Sequence, residues 1–375
     1  MSKAPKYPVT RTSLPPFEEY CEAIRPLWES RWITNMGPLH EELADALADR
    51  FGCRVTLFAN GHLAIEATLR ALLGSGPGEI VTTPFTFVST THAIVRCGFT
   101  PVFCDVLPED GTMDPALLES LITPRTVAIL PVHVYGHPCD IDTIGDIARR
   151  HGLPVLYDAA HAFGVRYKGV PLVRAGDASV LSFHATKVFS TIEGGAVCYD
   201  APLGIPAEAF ASRLDDEKNF GIRDAETCVA AGGNAKLGEF SAAMGLCNLR
   251  HFEAERDDRL AASGRYDKLL LAGIGVLSRL RPREGTEPAG AYYPLLLPDR
   301  ATRDRVYTAL RADSIGARKY FFPLTSRTEC YAACHFAGET PVGEDLASRV
   351  LCLPLYAGLT PSDTALIASA VLRAI

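Results

Sequence analysis

The chain of 375 residues has no apolar run long enough to span a membrane. A transmembrane helix needs about 18 or more consecutive apolar residues, and every apolar stretch in this sequence is shorter. The first sixteen residues are polar and rich in proline, so they lack the apolar segment of a secretory signal peptide. We therefore expect a cytoplasmic protein with no membrane partner.

Positive charge is also in short supply. The 37 lysines and arginines are outnumbered by 44 aspartates and glutamates, which gives a formal net charge of −7. A protein that binds nucleic acid irrespective of sequence needs an excess of positive charge to neutralise the phosphates. The composition therefore argues against a nucleic-acid partner, although it is compatible with a local basic pocket for an anionic small molecule.

Several motifs that would indicate other chemistries are missing. The sequence contains neither the GxxxxGK motif of phosphate-binding loops nor the GxSxG motif of serine hydrolases. The eleven cysteines are scattered, and the closest pair, Cys330 and Cys334, does not form a CxxC motif. We expect reduced thiols that are mostly buried as small hydrophobic side chains.

Two further patterns are excluded by their context. The glycine-rich stretch from Gly74 to Gly78 follows a predicted helix rather than a strand and contains Pro77, so it is not a dinucleotide-binding loop. A group of potential metal ligands has a spacing that fits no strong zinc pattern, and a turn around Gly136 explains it better. This group consists of His133, His137, Cys139 and Asp140. We therefore expect no metal site.

Short β-rich runs alternate with helical stretches through the first two-thirds of the chain. This alternation predicts an α/β fold with a mainly parallel sheet and helices on both faces. Strands are predicted over residues 54–59, 79–83, 101–105, 127–133, 154–158, 178–183 and 195–199. Helices are predicted over residues 63–73, 88–96, 115–122 and 141–151.

A chain of this length suggests two domains. We place a large domain with an N-terminal arm at residues 1–250 and a smaller α+β domain at residues 251–375. Residues 213–234 are charged, contain glycine and show no clear period, so they are predicted to form a long loop. Further predicted elements are one or two helices over residues 235–261, a strand at 292–297, and helices at 303–311 and from 361 onward.

Side chains that could take part in chemistry fall at or just beyond the ends of predicted strands, where ligands bind in such sheets. A lone lysine or aspartate there is more often a solvated or turn-capping residue. Lys187 and Asp158, however, each follow an apolar run that is predicted to be buried. A desolvated amine can form a Schiff base, and a buried carboxylate can hold a protonated ring nitrogen. Pyridoxal 5′-phosphate (PLP) needs both groups. The strand-end residues are Asn60, Phe85, His133, Asp158 and Lys187.

The phosphate of such a cofactor would need its own binding cup. Gly61 and His62 stand where a strand passes through a glycine turn into a helix, and free N–H groups at a helix N-terminus bind anions. Ser182, at the end of another predicted strand, can add a hydroxyl. Phe85 could either stack on an aromatic ring or pack in the core, and its own sequence context does not decide between the two.

Together these segments resemble the sugar aminotransferases of the DegT/DnrJ/EryC1/StrS group. That group has the type I PLP-dependent (aspartate aminotransferase-like) fold, with a mainly parallel sheet between helices and a smaller C-terminal α+β domain. The resemblance covers nearly the whole chain. Its segments are NGHLA at 60–64, TPFTF at 83–87, PVHVYG at 131–136, DAAH at 158–161, SFHATK at 182–187, GGNAK at 232–236, KYFFPL at 319–324 and LPLY at 353–356.

The resemblance implies a role for each of these segments. Lys187 would form the Schiff base with PLP and carry the proton between cofactor and substrate, Asp158 would hold the pyridine nitrogen, and Phe85 would stack on the ring. A second subunit would contribute to the site, so the catalytic unit would be a homodimer. The other implied cofactor contacts are Gly61, His62 and Ser182 at the phosphate, His161 near the ring hydroxyl, and Asn234 of the second subunit at the phosphate.

Two positions depart from the pattern of the family. Many members carry threonine where this chain has His62, so the backbone contact to the phosphate is retained but a side-chain hydroxyl is lost. Many members carry glutamine where this chain has His161, and histidine can donate the same hydrogen bond.

The resemblance also implies the reaction. An amino group would pass from glutamate to the 4-keto carbon of a nucleotide-linked 4-keto-6-deoxysugar, with dTDP as the nucleotide. The sequence HATK at 184–187 and the following EGG at 193–195 are more similar to members that aminate C4 than to those that aminate C3. Arg223, Lys319 and Tyr320 are candidates for binding the diphosphate and the sugar, with ordinary exposed positions as an equal alternative.

Three other functions compete with this interpretation. The first is amination at C3 of the sugar. The second, a PLP-dependent sugar dehydratase, is disfavoured because relatives of that kind replace the Schiff-base lysine, which this chain retains as Lys187. The third is a non-catalytic regulator that kept the cofactor site. Such regulators usually carry an added DNA-binding segment, and this chain has no basic tract for one.

Overall fold

A computed structural model describes residues 5–272, 275–334 and 336–375, so the first four residues of the polar N-terminal stretch lie outside it. In chain order, the α-helices in these ranges are α1 (Phe17–Ile24), α2 (Pro26–Ser30), α3 (Pro38–Phe51), α4 (Gly61–Leu73), α5 (Val88–Arg96), α6 (Pro115–Leu121), α7 (Ile141–His151), α8 (Ala207–Lys218), α9 (Glu239–Tyr266), α10 (Arg300–Ala312), α11 (Pro341–Arg349) and α12 (Pro361–Ala374).

The strands in the same ranges are short, and most of them alternate with the helices. They are β1 (Arg54–Phe58), β2 (Glu79–Thr82), β3 (Thr100–Phe103), β4 (Thr126–Leu130), β5 (Leu156–Asp158), β6 (Arg166–Tyr167), β7 (Val170–Pro171), β8 (Ala178–Ser182), β9 (Gly195–Tyr199), β10 (Ser278–Arg279), β11 (Thr286–Glu287), β12 (Tyr293–Leu296) and β13 (Val350–Leu353).

The main sheet has the strand order β1-β9-β8-β5-β4-β2-β3. Parallel ladders join β5 to β8 and join β2 to both β3 and β4, and parallel bridges join β4 to β5. Strand β9 runs antiparallel to its neighbours β1 and β8, because it returns from β8 through residues 183–194 without a crossover helix. The prediction of a mainly parallel sheet is confirmed, with β9 as the exception.

Helices cover both faces of this sheet. Successive side chains of a strand point to opposite faces, so Leu57 packs in an apolar cluster with α3 and α9, whereas the adjacent Phe58 packs with α4 and α8. On β2, Ile80 packs with α4 and α5, and Val81 packs with α6 and α7. Burial on both faces explains why adjacent residues of these strands, such as Leu57 and Phe58 or Ile80 and Val81, are apolar.

The C-terminal part of the chain has an apolar cluster of its own. This cluster surrounds the antiparallel sheet β10-β12-β13 and includes residues of α10 and α12. Helix α9 contributes Ala242 and Phe252 to a cluster under the main sheet, and Ala262 and Tyr266 to the C-terminal cluster. The predicted domain boundary at residue 250 therefore falls inside a continuous helix, and the division into domains at that point stays a prediction.

The predicted loop at residues 213–234 is wrong in its first part. Helix α8 extends to Lys218 and buries Phe210, Leu214 and Lys218 at intervals of four residues, which is the spacing of one helix face. The predicted segment begins after Phe210 and includes only Leu214 and Lys218 of that face, so it contains too little of the helix to show the period. Residues 219–234 form an irregular segment that folds back on itself through a bridge between Asn219 and Asn234.

Neither a membrane span nor a metal cluster is found in the described ranges. No helix there is both long enough and apolar enough to cross a bilayer. No group of three or more histidine, cysteine or acidic side chains there could hold a metal ion. The side chains considered above as metal ligands contact backbone groups instead. His133 Nδ1 accepts the N–H of Cys139 at 3.1 Å, and Asp140 caps α7.

Candidate active site

The carboxyl ends of the parallel strands bring several of the predicted residues to one edge of the main sheet. Asp158 is the last residue of β5, and its N–H donates to the carbonyl of Pro131 at 2.9 Å while its carbonyl accepts the N–H of His133 at 2.9 Å. Ser182 is the last residue of β8, and Lys187 lies in the loop between β8 and β9. The strand-end prediction for these residues agrees with the sheet topology.

Lys187 is a half-buried lysine at this edge. The backbone N–H of Lys187 donates to the backbone carbonyl of His184 at 2.9 Å, which fixes a turn shortly after β8. Burial lowers the pKa of the Lys187 amine to about 8, and the charge of Asp158 opposes this shift. More of this amine is therefore neutral near pH 7 than in an exposed lysine, so it is suited to nucleophilic attack and to proton transfer.

Asp158 is a buried carboxylate with two protein donors. It is 5% exposed; Thr90 Oγ1 donates to its Oδ2 at 2.6 Å, and the N–H of Ala160 donates to its Oδ1 at 3.1 Å. Burial raises the pKa of Asp158, whereas these hydrogen bonds and the Lys187 charge lower it. Because each carboxylate oxygen can accept about two hydrogen bonds, Asp158 retains capacity for a further donor.

A glycine-lined cup lies where β1 passes into α4. The Asn60 side chain accepts the N–H of Leu63 at 2.9 Å and so starts the helix at Gly61. A Cβ added to Gly61 would lie 3.0 Å from the Cβ of Ser182, and one added to Gly195 would lie 2.6 Å from the N of Gly61. Only glycine fits at Gly195, and a side chain at Gly61 would require Ser182 to move. These two glycines bring the helix N-terminus, with its free N–H groups, against the end of β8.

His62, the second residue of α4, is held by two neighbours. Its Nδ1 lies 2.9 Å from Ser89 Oγ on α5, and its Nε2 lies 3.1 Å from Glu66 Oε1 on α4. The side chain therefore bridges the two helices beside the cup.

The two phenylalanines of the TPFTF segment differ in exposure. Phe85 is fully buried, and its ring meets those of Tyr135 and Phe321 edge-on, with centroids 6.1 Å away in each case. Phe87 is 53% exposed at the start of α5, three residues before Thr90. The stacking role of Phe85 stays a prediction, but the geometry favours core packing for Phe85 and gives Phe87 the free ring face. Phe87 lies in the same segment but is not among the residues predicted from the sequence to bind the cofactor.

His161 lies in an aromatic wall at the same edge. Its Nδ1 accepts the N–H of Tyr135 at 3.1 Å, so the neutral ring carries its proton on Nε2. Its ring is parallel to that of Phe321 and meets the edge of Tyr292, with a centroid distance of 4.9 Å to Tyr292. Burial and the Lys187 charge lower the pKa of His161 well below its usual value. This aromatic wall, formed by His161, Tyr292 and Phe321, joins the C-terminal part of the chain to the edge of the main sheet. The sequence did not reveal these contacts.

The two candidates for sugar and diphosphate binding at Lys319 and Tyr320 face different neighbours. Lys319 pairs with Asp304 on α10. Tyr320 accepts a hydrogen bond from Arg318 at 2.6 Å, and its ring meets the edge of Tyr292, with centroids 5.7 Å apart. Because Tyr292 contacts His161, Tyr320 is connected to the site through the aromatic wall, whereas the amine of Lys319 is engaged elsewhere.

Arg223 and Asn234 lie on the irregular segment at residues 219–234. Arg223 pairs with Asp216 at 2.6 Å, and Asn234 accepts a hydrogen bond from Lys236 at 2.7 Å. Both partners come from the segment itself or its immediate surroundings. These contacts do not bring Arg223 or Asn234 to Lys187 of the same chain, so the role of Arg223 in substrate binding and that of Asn234 in a second subunit stay predictions.

Comparison with known proteins decides the family. The model of the DegT/DnrJ/EryC1/StrS aminotransferase family matches residues 17–372. The chain belongs to this family. The match includes the sheet edge with Lys187 and Asp158 as well as the C-terminal cluster, so the resemblance deduced from the sequence motifs is confirmed.

Curated relatives align with nearly the whole chain. A dTDP-4-amino-4,6-dideoxy-D-glucose transaminase of Shigella dysenteriae is 38% identical over 357 residues, which cover 94% of this chain and 94% of the relative. A UDP-2-acetamido-2-deoxy-3-oxo-D-glucuronate aminotransferase of Pseudomonas aeruginosa is 33% identical over 344 residues, which cover 90% of each protein.

Solved structures confirm the fold. DesI, crystallised in the presence of its TDP-sugar product, is 32% identical and superposes with a TM-score of 0.91, covering 99% of this chain and 93% of DesI. The Helicobacter pylori aminotransferase PseC is 25% identical with a TM-score of 0.89, covering 98% of each chain. This family member therefore has the predicted type I, aspartate aminotransferase-like fold.

Proposed function

We propose that this family member is a PLP-dependent aminotransferase that moves an amino group from glutamate to the 4-keto carbon of a dTDP-linked 4-keto-6-deoxysugar. The observation that carries the proposal is the proximity of the Lys187 amine to the Asp158 carboxylate, whose charge raises the pKa of that amine, beside the glycine-lined cup. The transaminase of Shigella dysenteriae, 38% identical over 94% of both chains, supports C4 and dTDP. The relative named for a 3-oxo sugar keeps amination at C3 as a second candidate.

The chemistry of the described residues fits PLP at three points. The half-buried amine of Lys187 suits the cofactor aldehyde, and the free hydrogen-bonding capacity of Asp158 suits a protonated ring nitrogen. The close approach of Gly61 to Ser182 makes an anion site from the N-terminus of α4 and a hydroxyl. Since these groups come from β1, β5 and β8, the sheet edge sets their spacing.

Each of these groups has a task in amino transfer. Bound PLP supplies an electron sink for the carbon that carries the transferred nitrogen. Lys187, with a pKa of about 8, can take up and return a proton near neutral pH. Asp158 holds a negative charge that keeps a ring nitrogen protonated. His161 presents Nε2–H as a donor, since its Nδ1 is occupied by Tyr135.

A homodimer with shared active sites is part of the proposal. The irregular segment exposes three apolar side chains, and exposed apolar patches mark protein interfaces. They are Phe220, Ile222 and Val229, which are 44%, 48% and 56% exposed. Asn234 and Arg223, on the same segment, would then reach the phosphate cup and the nucleotide in the partner subunit.

Absorbance spectroscopy tests the cofactor. The protein loaded with PLP should show a visible band that is absent from Lys187→Ala. Lys168→Ala is the matched control, because Lys168 is an exposed lysine paired with Asp142 at 2.5 Å, and it should keep the band. A visible band that does not depend on Lys187 would sink the proposal.

Turnover tests the substrate. Incubation with 15N-glutamate and a dTDP-linked 4-keto-6-deoxysugar should give a 15N-labelled amino sugar by mass spectrometry. Faster turnover of a 3-keto nucleotide sugar would show that the amino group is transferred to C3 rather than to C4. A lysine-dependent band without turnover of any keto sugar in a broad panel would favour the non-catalytic regulator.

A further inference from the structure

A chain of buried hydroxyls ends on Asp158. Thr90, in the first turn of α5, donates from its Oγ1 to Asp158 Oδ2 at 2.6 Å, and Thr86 Oγ1 lies 3.0 Å from Thr90 Oγ1. Thr86 is 3% exposed, and Thr90 is fully buried. Bulk water therefore cannot take the place of either hydroxyl as a hydrogen-bonding partner.

The number of available protons fixes the direction of this chain. An ionised carboxylate accepts hydrogen bonds only, and a threonine hydroxyl has a single proton to donate. Thr90 uses its proton for Asp158, so the proton between the two threonines must come from Thr86. The chain therefore runs from Thr86 through Thr90 to Asp158, and each hydroxyl polarises the next one toward the negative charge.

The position of Thr86 just before α5 would allow its hydroxyl another use. Threonine near the start of a helix commonly accepts a free backbone N–H as a cap. Helix α5 begins at Val88, and its N-cap residue, Phe87, provides no side-chain cap. The hydroxyl of Thr86, one residue earlier, is directed at Thr90 instead. Its hydrogen bond therefore serves the carboxylate rather than the end of the helix.

The bond from Thr90 is the main effect that favours the ionised form of Asp158. Burial raises the pKa of Asp158, and three groups lower it: the Thr90 hydroxyl first, then the N–H of Ala160 and the charge of Lys187. A donor that strengthens the bond from Thr90 therefore acts on the largest effect that opposes burial.

We propose that Thr86 is a positioning residue for the cofactor-binding carboxylate and acts through Thr90 to keep Asp158 oriented and ionised. The inference rests on the proposed function, because it gives Asp158 the task of holding a protonated ring nitrogen. The other carboxylate oxygen, Oδ1, accepts the N–H of Ala160 at 3.1 Å. Both oxygens are thus held by donors from the protein, and each retains capacity for a further hydrogen bond.

A double-mutant cycle tests whether Thr86 acts through Thr90. Thr86→Val keeps the shape of the side chain but removes the donor. It should lower kcat/KM for amino transfer about twofold, because one hydrogen bond strengthens the next by only a fraction of its energy. Thr86→Ser should restore the rate. In the Thr90→Val background the connection to Asp158 is already lost, so Thr86→Val should change nothing more. An equal loss in both backgrounds would overturn the proposal.

The stability of the cofactor-free protein provides a readout that packing alone would not change. Because burial raises the pKa of Asp158 in the folded state, its charge opposes folding at neutral pH, and this cost is lost as the pH falls through the raised pKa. Thr86→Val should raise that pKa further. Its urea midpoint relative to the wild type should therefore be lower at about pH 7 than at about pH 4, near the ordinary pKa of aspartate. A difference that does not depend on pH would refute the role of Thr86.

The other titratable groups beside Asp158 should not produce this pH dependence. Lys187, with a pKa of about 8, is mainly charged at both pH values. His133 and His161 follow β4 and β5, and burial lowers the pKa of both, to about 3 for His133. The same three groups are present in the wild type and in Thr86→Val, so their titration cancels in the difference between the two proteins.

A second buried hydroxyl pair on α5 provides the matched control. Thr91 is fully buried, and its hydroxyl donates to Thr325 Oγ1 at 2.7 Å. Thr91→Val removes this donor from a pair that has no carboxylate, so its difference in urea midpoint should be the same at both pH values. If Thr86→Val does not fold, Thr86→Ala removes the same hydroxyl and takes its place in both measurements. Since the urea experiment needs no cofactor, its failure would overturn this inference while the lysine-dependent band and the proposed function stand.

Discussion

Two buried carboxylates serve different purposes at the start of α9 and at the end of β5. Glu239 is fully buried and accepts the N–H groups of Leu39 at 2.8 Å and His40 at 3.1 Å. These N–H groups belong to the first turn of α3, so a negative charge from α9 caps another helix. Asp158, 5% exposed, accepts from one hydroxyl and one N–H at the open edge of the sheet.

The difference lies in what surrounds each carboxylate. A Cβ on Gly37 would lie 2.8 Å from the Cδ of Glu239, so there is no space for a ligand beside it. Asp158 has spare acceptor capacity and lies near the amine of Lys187, whose pKa responds to its charge. Burial and hydrogen bonding alone therefore do not identify a functional carboxylate. A functional carboxylate is identified by an acceptor site that remains free and by a reactive group beside it.

Asp158→Asn should give the largest effect that separates the two carboxylates. Loss of the charge that holds the ring nitrogen should lower kcat/KM for amino transfer at least about 100-fold, the scale of breaking a buried ion pair. Because burial raises the pKa of Asp158, its charge opposes folding, so the urea midpoint should stay the same or increase. Steady-state kinetics and urea unfolding measure both quantities. Normal activity in Asp158→Asn would contradict the assignment.

Glu239→Gln should show the opposite pattern. Glutamine keeps one carbonyl acceptor but turns an amide toward the second N–H of α3, and an unsatisfied buried donor costs about 1–3 kcal/mol. The urea midpoint should therefore fall, while kcat/KM of the folded protein should stay within about twofold of wild type, since no bond to the substrate is removed. A loss of kcat/KM comparable to that of Asp158→Asn, with unchanged stability, would remove the distinction between the two regions.

The sequence could predict the sheet edge because the strands are parallel. Once the alternation of strands and helices is recognised, the residues that end the apolar runs must gather at one edge, as Asp158 and Ser182 do. The glycine turn at Gly61 follows from the same reasoning. Local patterns that repeat along the chain are visible without a structure.

The partners that act across the fold could not be predicted in this way. Thr90 bonds to Asp158 over 68 residues of sequence, and Tyr292 reaches His161 from the C-terminal part of the chain. No local pattern records such contacts. Phe85 and Phe87 stand two residues apart outside any regular strand or helix, so periodicity cannot tell which one is buried.

The pH dependence of PLP incorporation should also distinguish Asp158 from Glu239, by a smaller effect than the change in kcat/KM. Since the neutral amine attacks the cofactor and the pKa of Lys187 is about 8, the rate should fall about fivefold from about pH 8 to pH 7. Asp158 raises this pKa, so Asp158→Asn should shift the midpoint to lower pH, whereas Glu239→Gln should not. Stopped-flow absorbance of the apoprotein with PLP measures the rate. A midpoint that is equal in all three proteins would contradict the proximity of Asp158 to Lys187.

Thr90→Val should lower activity by much less than Asp158→Asn. Valine has the shape of threonine but cannot donate to Asp158 Oδ2, and the loss of one such hydrogen bond, about 1 kcal/mol net, corresponds to about a fivefold decrease in kcat/KM. The hydrogen bond from Thr90 lowers the pKa of Asp158, so its removal raises that pKa and should move the acidic limb of the activity profile to higher pH. Thr90→Ser retains the donor and should restore both the rate and the limb. Failure of serine to restore them would show that Thr90 acts through packing alone.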